Sequence, residues 1–313
     1  MVIFLSRPLY FVLGKLHRES YSMTRLGGIG LVFAIALAAV GSASAQQLYI
    51  TNEGSADIQL WNINTNVLST IYTIGVGKEY NPDDLTLAPG GQLLYTVPNQ
   101  GTVSIYNPKT GVNKVLASGI GGARDLVVEP GGQTVLVAGY ADPAQIYRVN
   151  LTTGATTVLV GKAAKLGTCD GLAYDPYGHL YAVAYHNTIV QVDPLSGAIL
   201  ATLTLEPHSG VNGADGLTYD SYTGTLWATH DGKIRGIGLI QIPVSPEGGF
   251  GGGFTFIPLE KVGNVDGIKS DGKGNLYIGA IYVALIYNIP TNTITKQVVV
   301  KGADGVSLVP GTY

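Results

Sequence analysis

Residues 169–194 read CDGLAYDPYGHLYAVAYHNTIVQVDP, and this stretch decides the fold. Asp170-Gly171 opens a short apolar run, and Asp175 to Gly178 supplies a turn. Leu180-Tyr-Ala-Val183 makes a second run, Thr188 to Val192 a third, and Ile199 to Leu205 a fourth. Each run alternates apolar and polar residues over four to eight positions and is bounded by Gly, Pro, Asp or Asn. That is the pattern of four short antiparallel strands. The same line recurs from Asp83 (DDLTLAPGG), Arg124 (RDLVVEPGG), Asp215 (DGLTYDSYTG), Asp266 (DGIKSDGKG) and Asp304 (DGVSLVPG). The successive steps, counting Asp170, are 41, 46, 45, 51 and 38 residues. A four-stranded unit of this length repeated about an axis is a propeller blade.

The ends of the repeat fit a ring. Leu48-Tyr-Ile-Thr51 matches a second strand, and Asp304 to Val309 matches a first strand. The expected fold is therefore all-β: a six-bladed β-propeller with four-stranded antiparallel blades, closed by the C-terminal strand completing the N-terminal blade. A linear solenoid leaves this offset unexplained. Gly248 to Gly253 interrupts the repeat that starts at Asp215 and reads as a hairpin. Without a Lys-Ser/Thr and a following helix it is no phosphate loop.

Composition bounds the rest. The chain has 313 residues, 46% apolar and only 12% charged, with 44 glycines, which excludes disorder and a helix bundle. Met23-Thr-Arg25, the apolar run Leu26–Val40 and the small residues Gly41–Ala45 read as a signal peptide over 23–45, within a leader spanning 1–45. The expected product is a secreted or periplasmic domain, residues 46–313, with no membrane span after cleavage. Its 14 basic against 20 acidic residues argue against nucleic acid as a partner. Cys169 is the only cysteine, so no internal disulfide forms, and a buried spacer is the expected role.

In such a ring the first strand of each blade lines the channel, and its opening residue faces one mouth. Asp83, Arg124, Asp170, Asp215, Asp266 and Asp304 thereby form an inner ring. Five carboxylates around one opening repel each other unless protonated, paired or bound to a cation. Oxygen donors suit a divalent cation, Ca²⁺ before Mg²⁺ or Mn²⁺. The competing reading is structural: Asp before Gly is a common turn, and each carboxylate then accepts backbone N–H bonds in its own blade. Ends of second strands give an outer ring: Asn52, Asn99, Tyr140, His186 with Asn187, His230 with Asp231, and Tyr282, with His208 in a loop nearby. Arg124 neutralises neighbouring carboxylates or holds an anionic group. No Gly-x-Ser-x-Gly elbow is present.

At Val265-Asp266-Gly-Ile-Lys-Ser-Asp271-Gly-Lys-Gly-Asn275-Leu-Tyr-Ile-Gly-Ala280 the sequence resembles the SMP-30/gluconolactonase/LRE-like family of six-bladed propellers, with a looser likeness to NHL and YVTN-type propellers. The resemblance implies a cation held by Asp83, Asp215 and Asp266, with Asp266 also the general base. It implies Asp170 on the substrate; Arg124, His186 and His230 would surround it. The implied reaction is hydrolysis of a lactone or related ester. The chain departs from that family in having Asp where Glu and Asn ligands are expected, and in lacking the Glu-Gly-Pro opening. The alternative is a monomeric, non-catalytic binding propeller for a glycan, peptide or envelope protein. A streptogramin-lyase-like elimination is a third reading, disfavoured by the count of six units.

Overall fold

Alternating side chains give each strand one face for each neighbouring blade, and the burial pattern follows from that. Strands in the middle of a blade are covered on both faces: Leu180–Ala184 is buried throughout. The fourth strand is an edge, so Ile199–Thr204 alternates between half-buried and exposed positions. The structure, a computed structural model, describes residues 47–185, 187–205, 213–232 and 236–309. The leader read over 1–45, with its signal peptide at 23–45, lies outside the described residues.

Six four-stranded antiparallel sheets make the ring. The first blade takes its inner strand, Ala303–Leu308, from the far end of the chain and continues through Gln47–Asn52, Asp57–Asn62 and Val67–Thr73. The other inner strands are Leu85–Leu87, Ala123–Val128, Cys169–Tyr174, Ala214–Asp220 and Val265–Ser270, opening blades two to six. The offset closure expected from the repeat is thus present, with Leu48 opposite Leu308 and Ile50 opposite Val306. The 3₁₀ turns Lys78–Tyr80, Pro98–Gln100 and Lys162–Ala164 are the helical elements among the described residues. No helix among them is long and apolar enough to cross a membrane.

The core is divided among the interfaces between blades. Ala173, Tyr181 and Val183 of blade four meet Leu217, Leu226 and Ile240 of blade five. Tyr49 and Ile58 of blade one meet Leu85, Leu93 and Tyr95 of blade two, so the closing blade is packed like the rest. Cys169 is wholly buried in the cluster between blades three and four, and burial pushes its thiol pKa well up. The Gly248 region is a hairpin between Gly238–Pro243 and Thr255–Pro258, pinned where the Tyr181 hydroxyl donates to the Gly248 carbonyl at 2.9 Å.

Candidate functional site

The Asp-Gly pairs sit at β-bulges. Cys169 pairs with Ala184 but Leu172 with Ala182, which leaves Asp170 and Gly171 opposite the single residue Val183. The same shift occurs at 214/217, 265/268 and 123/126. A bulge re-aims side chains and bends the strand towards the axis. Glycine is needed at its second position because the next blade comes so close. A Cβ on Gly171 would lie 2.4 Å from the Asp215 carbonyl oxygen, and one on Gly216 2.5 Å from that of Asp266. Threonines stitch the same level: the Thr229 hydroxyl donates to the Asp266 carbonyl at 2.5 Å, and Thr51 donates to that of Asp83.

The bulges bring all six inner-ring residues together around the axis. Arg124 reaches across its neighbours, with Nη1 3.1 Å from Asp83 Oδ2 and Nε 3.5 Å from Asp170 Oδ1. Its guanidinium lies 4.4 Å from the centre of the Tyr140 ring, a cation–π contact. Burial pushes Asp83 up to about 8 and Asp170 up to about 7, against the opposing pull of Arg124. Asp215, Asp266 and Asp304 are driven well above the carboxylate range, by burial first and then by a neighbouring aspartate: Asp170 for Asp215, Asp215 for Asp266 and Asp266 for Asp304. Asp83 and its neighbours raise the Arg124 pKa in turn, so its charge is permanent.

A second charged level, which sequence reasoning missed, lies alongside this ring. Blades two and three carry Asp84 and Asp125 where the other four have glycine. Lys269 Nζ stands 3.0 Å from Asp84 Oδ2 and 3.3 Å from Asp125 Oδ1. Asp125 also accepts the Leu172 N–H of the next blade at 2.7 Å. Burial works against the lysine's charge, but Asp125 and Asp84 outweigh it and hold the ammonium ionised. The space left between the two levels is about 10 Å³, lined by Asp83, Asp84, Asp125, Asp170, Asp215 and Asp266. That is no more than a water's worth of room.

The cation set implied by the family resemblance does not fit this arrangement. Asp83 is committed to Arg124, and Lys269 supplies the positive charge beside it. Among the described residues, no three Asp, Glu, His or Cys side chains are gathered to hold a metal ion. Two expected substrate contacts also change. His230 is 0% exposed, its Nδ1 lies 2.9 Å from the Gly236 carbonyl, and its ring packs edge-on against Phe256. It is a core side chain, not a rim contact, because the second strand buries its last residue before turning out. His186 and His208 lie outside the described residues. Asp170 is in the ring, but buried beneath Arg124's reach rather than facing open solvent.

The outer ring divides similarly. Asn52 accepts the Ser55 N–H and holds its own loop, while Asn99 Nδ2 donates to the Lys78 carbonyl at 2.8 Å and ties its turn to the preceding one. Tyr282 is 61% exposed on the rim. Beside the ring, Glu53, Asp231, Asn264, Asp266 and Asp304 line a cavity of about 120 Å³. Asp304 is 5% exposed, yet its Oδ1 is buried without a hydrogen-bond partner. The carboxylates are too dispersed for a bare metal ion, but the space accepts a larger cation with several N–H donors. Glu53, directly after a second strand, was not singled out from the sequence; its place beside Asn52 was the available signal.

No family model and no curated protein matches this sequence. Solved structures do resemble it in fold. A chain of the nidogen/laminin complex has 14% identity and TM-score 0.67, covering 84% of this chain and 98% of that one. Virginiamycin B lyase from Staphylococcus aureus has 16% identity and TM-score 0.59, covering 84% and 86%. Kuenenia stuttgartiensis hydrazine synthase has 16% identity and TM-score 0.61, covering 85% and 87%. At these identities the likeness is one of fold.

Proposed function

We propose that the chain is an exported, non-catalytic binding propeller whose acidic mouth receives a positively charged group from a protein or peptide partner. The observation that carries this reading is the 120 Å³ cavity with Glu53, Asp231, Asp266 and Asp304 on its walls and an unpartnered Asp304 Oδ1. A buried carboxyl oxygen without a donor is costly; a ligand ammonium or guanidinium supplies that donor and favours the ionised form of Asp304 that burial opposes. The fold's likeness to a chain of the nidogen/laminin complex agrees with a protein partner. Nα-acetyl-lysine N-methylamide, titrated by NMR, tests the reading. Chemical shifts are expected to move at the mouth and to be lost in the Glu53→Gln, Asp231→Asn double variant. Equal shifts with the uncharged norleucine analogue overturn it.

The second reading is the hydrolase, which requires Asp83 to leave Arg124 and join Asp215 and Asp266 around a divalent cation, Ca²⁺ before Mg²⁺ or Mn²⁺, with Asp266 as base acting on a lactone. Asp83, Asp215 and Asp266 line one small cavity, and burial and then Asp215 raise the Asp266 pKa, which favours it. Melting in EDTA and then Ca²⁺, with turnover of simple lactones, separates the two. A strong Ca²⁺ shift with turnover that Asp266→Ala abolishes supports the hydrolase; no shift and no turnover supports the binding module.

A further inference from the structure

Glu53 belongs to two concavities at once. It lines the acidic cavity, and it also lines a groove of about 780 Å³ between blades one and two. The groove runs over Ser55, Thr73, Gly75, Lys78, Asn81 and Asn99, with exposed glycines at Gly54 and Gly77. Its walls come from the loop after Gln47–Asn52 and from the turns Lys78–Tyr80 and Pro98–Gln100. The Asn99 amide bonded to the Lys78 carbonyl ties those two turns into one wall.

The chemistry of the lining selects among occupants. None of the lining residues is aromatic, so there is no platform for stacking a sugar face. Carboxamides, hydroxyls and bare main chain instead match the alternating donors and acceptors of a peptide backbone. Lys78 lines the groove but not the cavity, so the groove offers a positive charge that the acidic cavity lacks.

We infer that the occupant is an extended peptide segment lying in this groove, with a lysine or arginine side chain in the Glu53–Asp231–Asp304 cavity and an acidic residue towards Lys78. The inference rests on the reading of the mouth given above, but it can fail separately. The probe is an array of randomised decapeptides overlaid with the purified chain, followed by titration of the best-bound peptide. Bound peptides are expected to carry Lys or Arg at one fixed position with Asp or Glu at a constant offset. Ser55→Trp, which fills the groove from an exposed position, is expected to weaken that peptide at least tenfold and leave Nα-acetyl-lysine N-methylamide unchanged. Glu53→Gln with Asp231→Asn is expected to weaken both. Asn81→Ala, with a melting temperature matching the parent, provides a second groove variant with the same expected pattern.

A peptide unaffected by Ser55→Trp and Asn81→Ala overturns the groove while leaving the cationic mouth standing. An array without selection for basic residues overturns both, as does an array with no bound peptide.

Discussion

Arg124 stands between two carboxylates that have few other means of staying ionised. Replacing it in Arg124→Met removes the countercharge from Asp83 and Asp170, and is expected to cost about 3 kcal/mol at pH 8 by urea denaturation. At pH 5 the loss is smaller, because both carboxyls are then protonated in the folded chain. The same groups set a pH dependence. Their folded pKa values, about 8 for Asp83 and about 7 for Asp170, lie above the ordinary aspartate value of 3.8. The folded state therefore holds protons that the unfolded chain releases. Their stabilisation is full below the unfolded pKa and is lost as pH rises through about 7 and then about 8. Denaturation curves at pH 5 and pH 8 are expected to show lower stability at pH 8, and Asp83→Asn should flatten the slope. A Lys269→Met variant tests the second level: it leaves Asp84 and Asp125 facing each other and is expected to cost about 3–5 kcal/mol. Adding Asp84→Asn and Asp125→Asn should recover most of that loss.

In each bulge, the element that repeats through the molecule, one short sequence does two jobs. In the four Asp-Gly bulges the aspartate is turned towards the axis, and the following glycine lets the next inner strand approach. Gly216→Ala places a Cβ against the Asp266 carbonyl and is expected to cost about 1–3 kcal/mol in thermal or urea unfolding. Thr229→Val keeps the shape but removes the hydroxyl that holds the same carbonyl, an expected loss of about 1 kcal/mol. This is also the scale at which the sequence was most legible. Asp-Gly before an alternating run marks four blades, Asp83-Asp84 and Arg124-Asp125 stand at the same point of the other two, and the steps between copies count all six. The second charged level was harder to see because it is written as a departure. Asp84 and Asp125 replace glycine within an otherwise regular motif, and Lys269 looks like one polar position of an alternating strand. Their meeting depends on the closure of the ring, which no local pattern encodes. His230 misled for the opposite reason: its position in the repeat was read correctly, but whether a strand's last residue faces out or in is settled by the loop that follows.

For the whole molecule, the distribution of core clusters explains why the fold tolerates so few charges. Every blade needs both neighbours to cover its two faces, so stability is shared around the circle. Deleting residues 300–309 removes the inner strand of the first blade and uncovers Leu48 and Ile50. The expected outcome is loss of a single cooperative unfolding transition and a gain in aggregation, read by calorimetry and light scattering.

Lys269, clasped by Asp84 and Asp125 on the axis, turns the bore of the ring into a blind well. Among the described residues the space left there is about 10 Å³, so whatever settles at the acidic opening departs by the route it came. Release is then governed by how quickly the rim lets go, and the opposite face is left free to meet other molecules without disturbing the first.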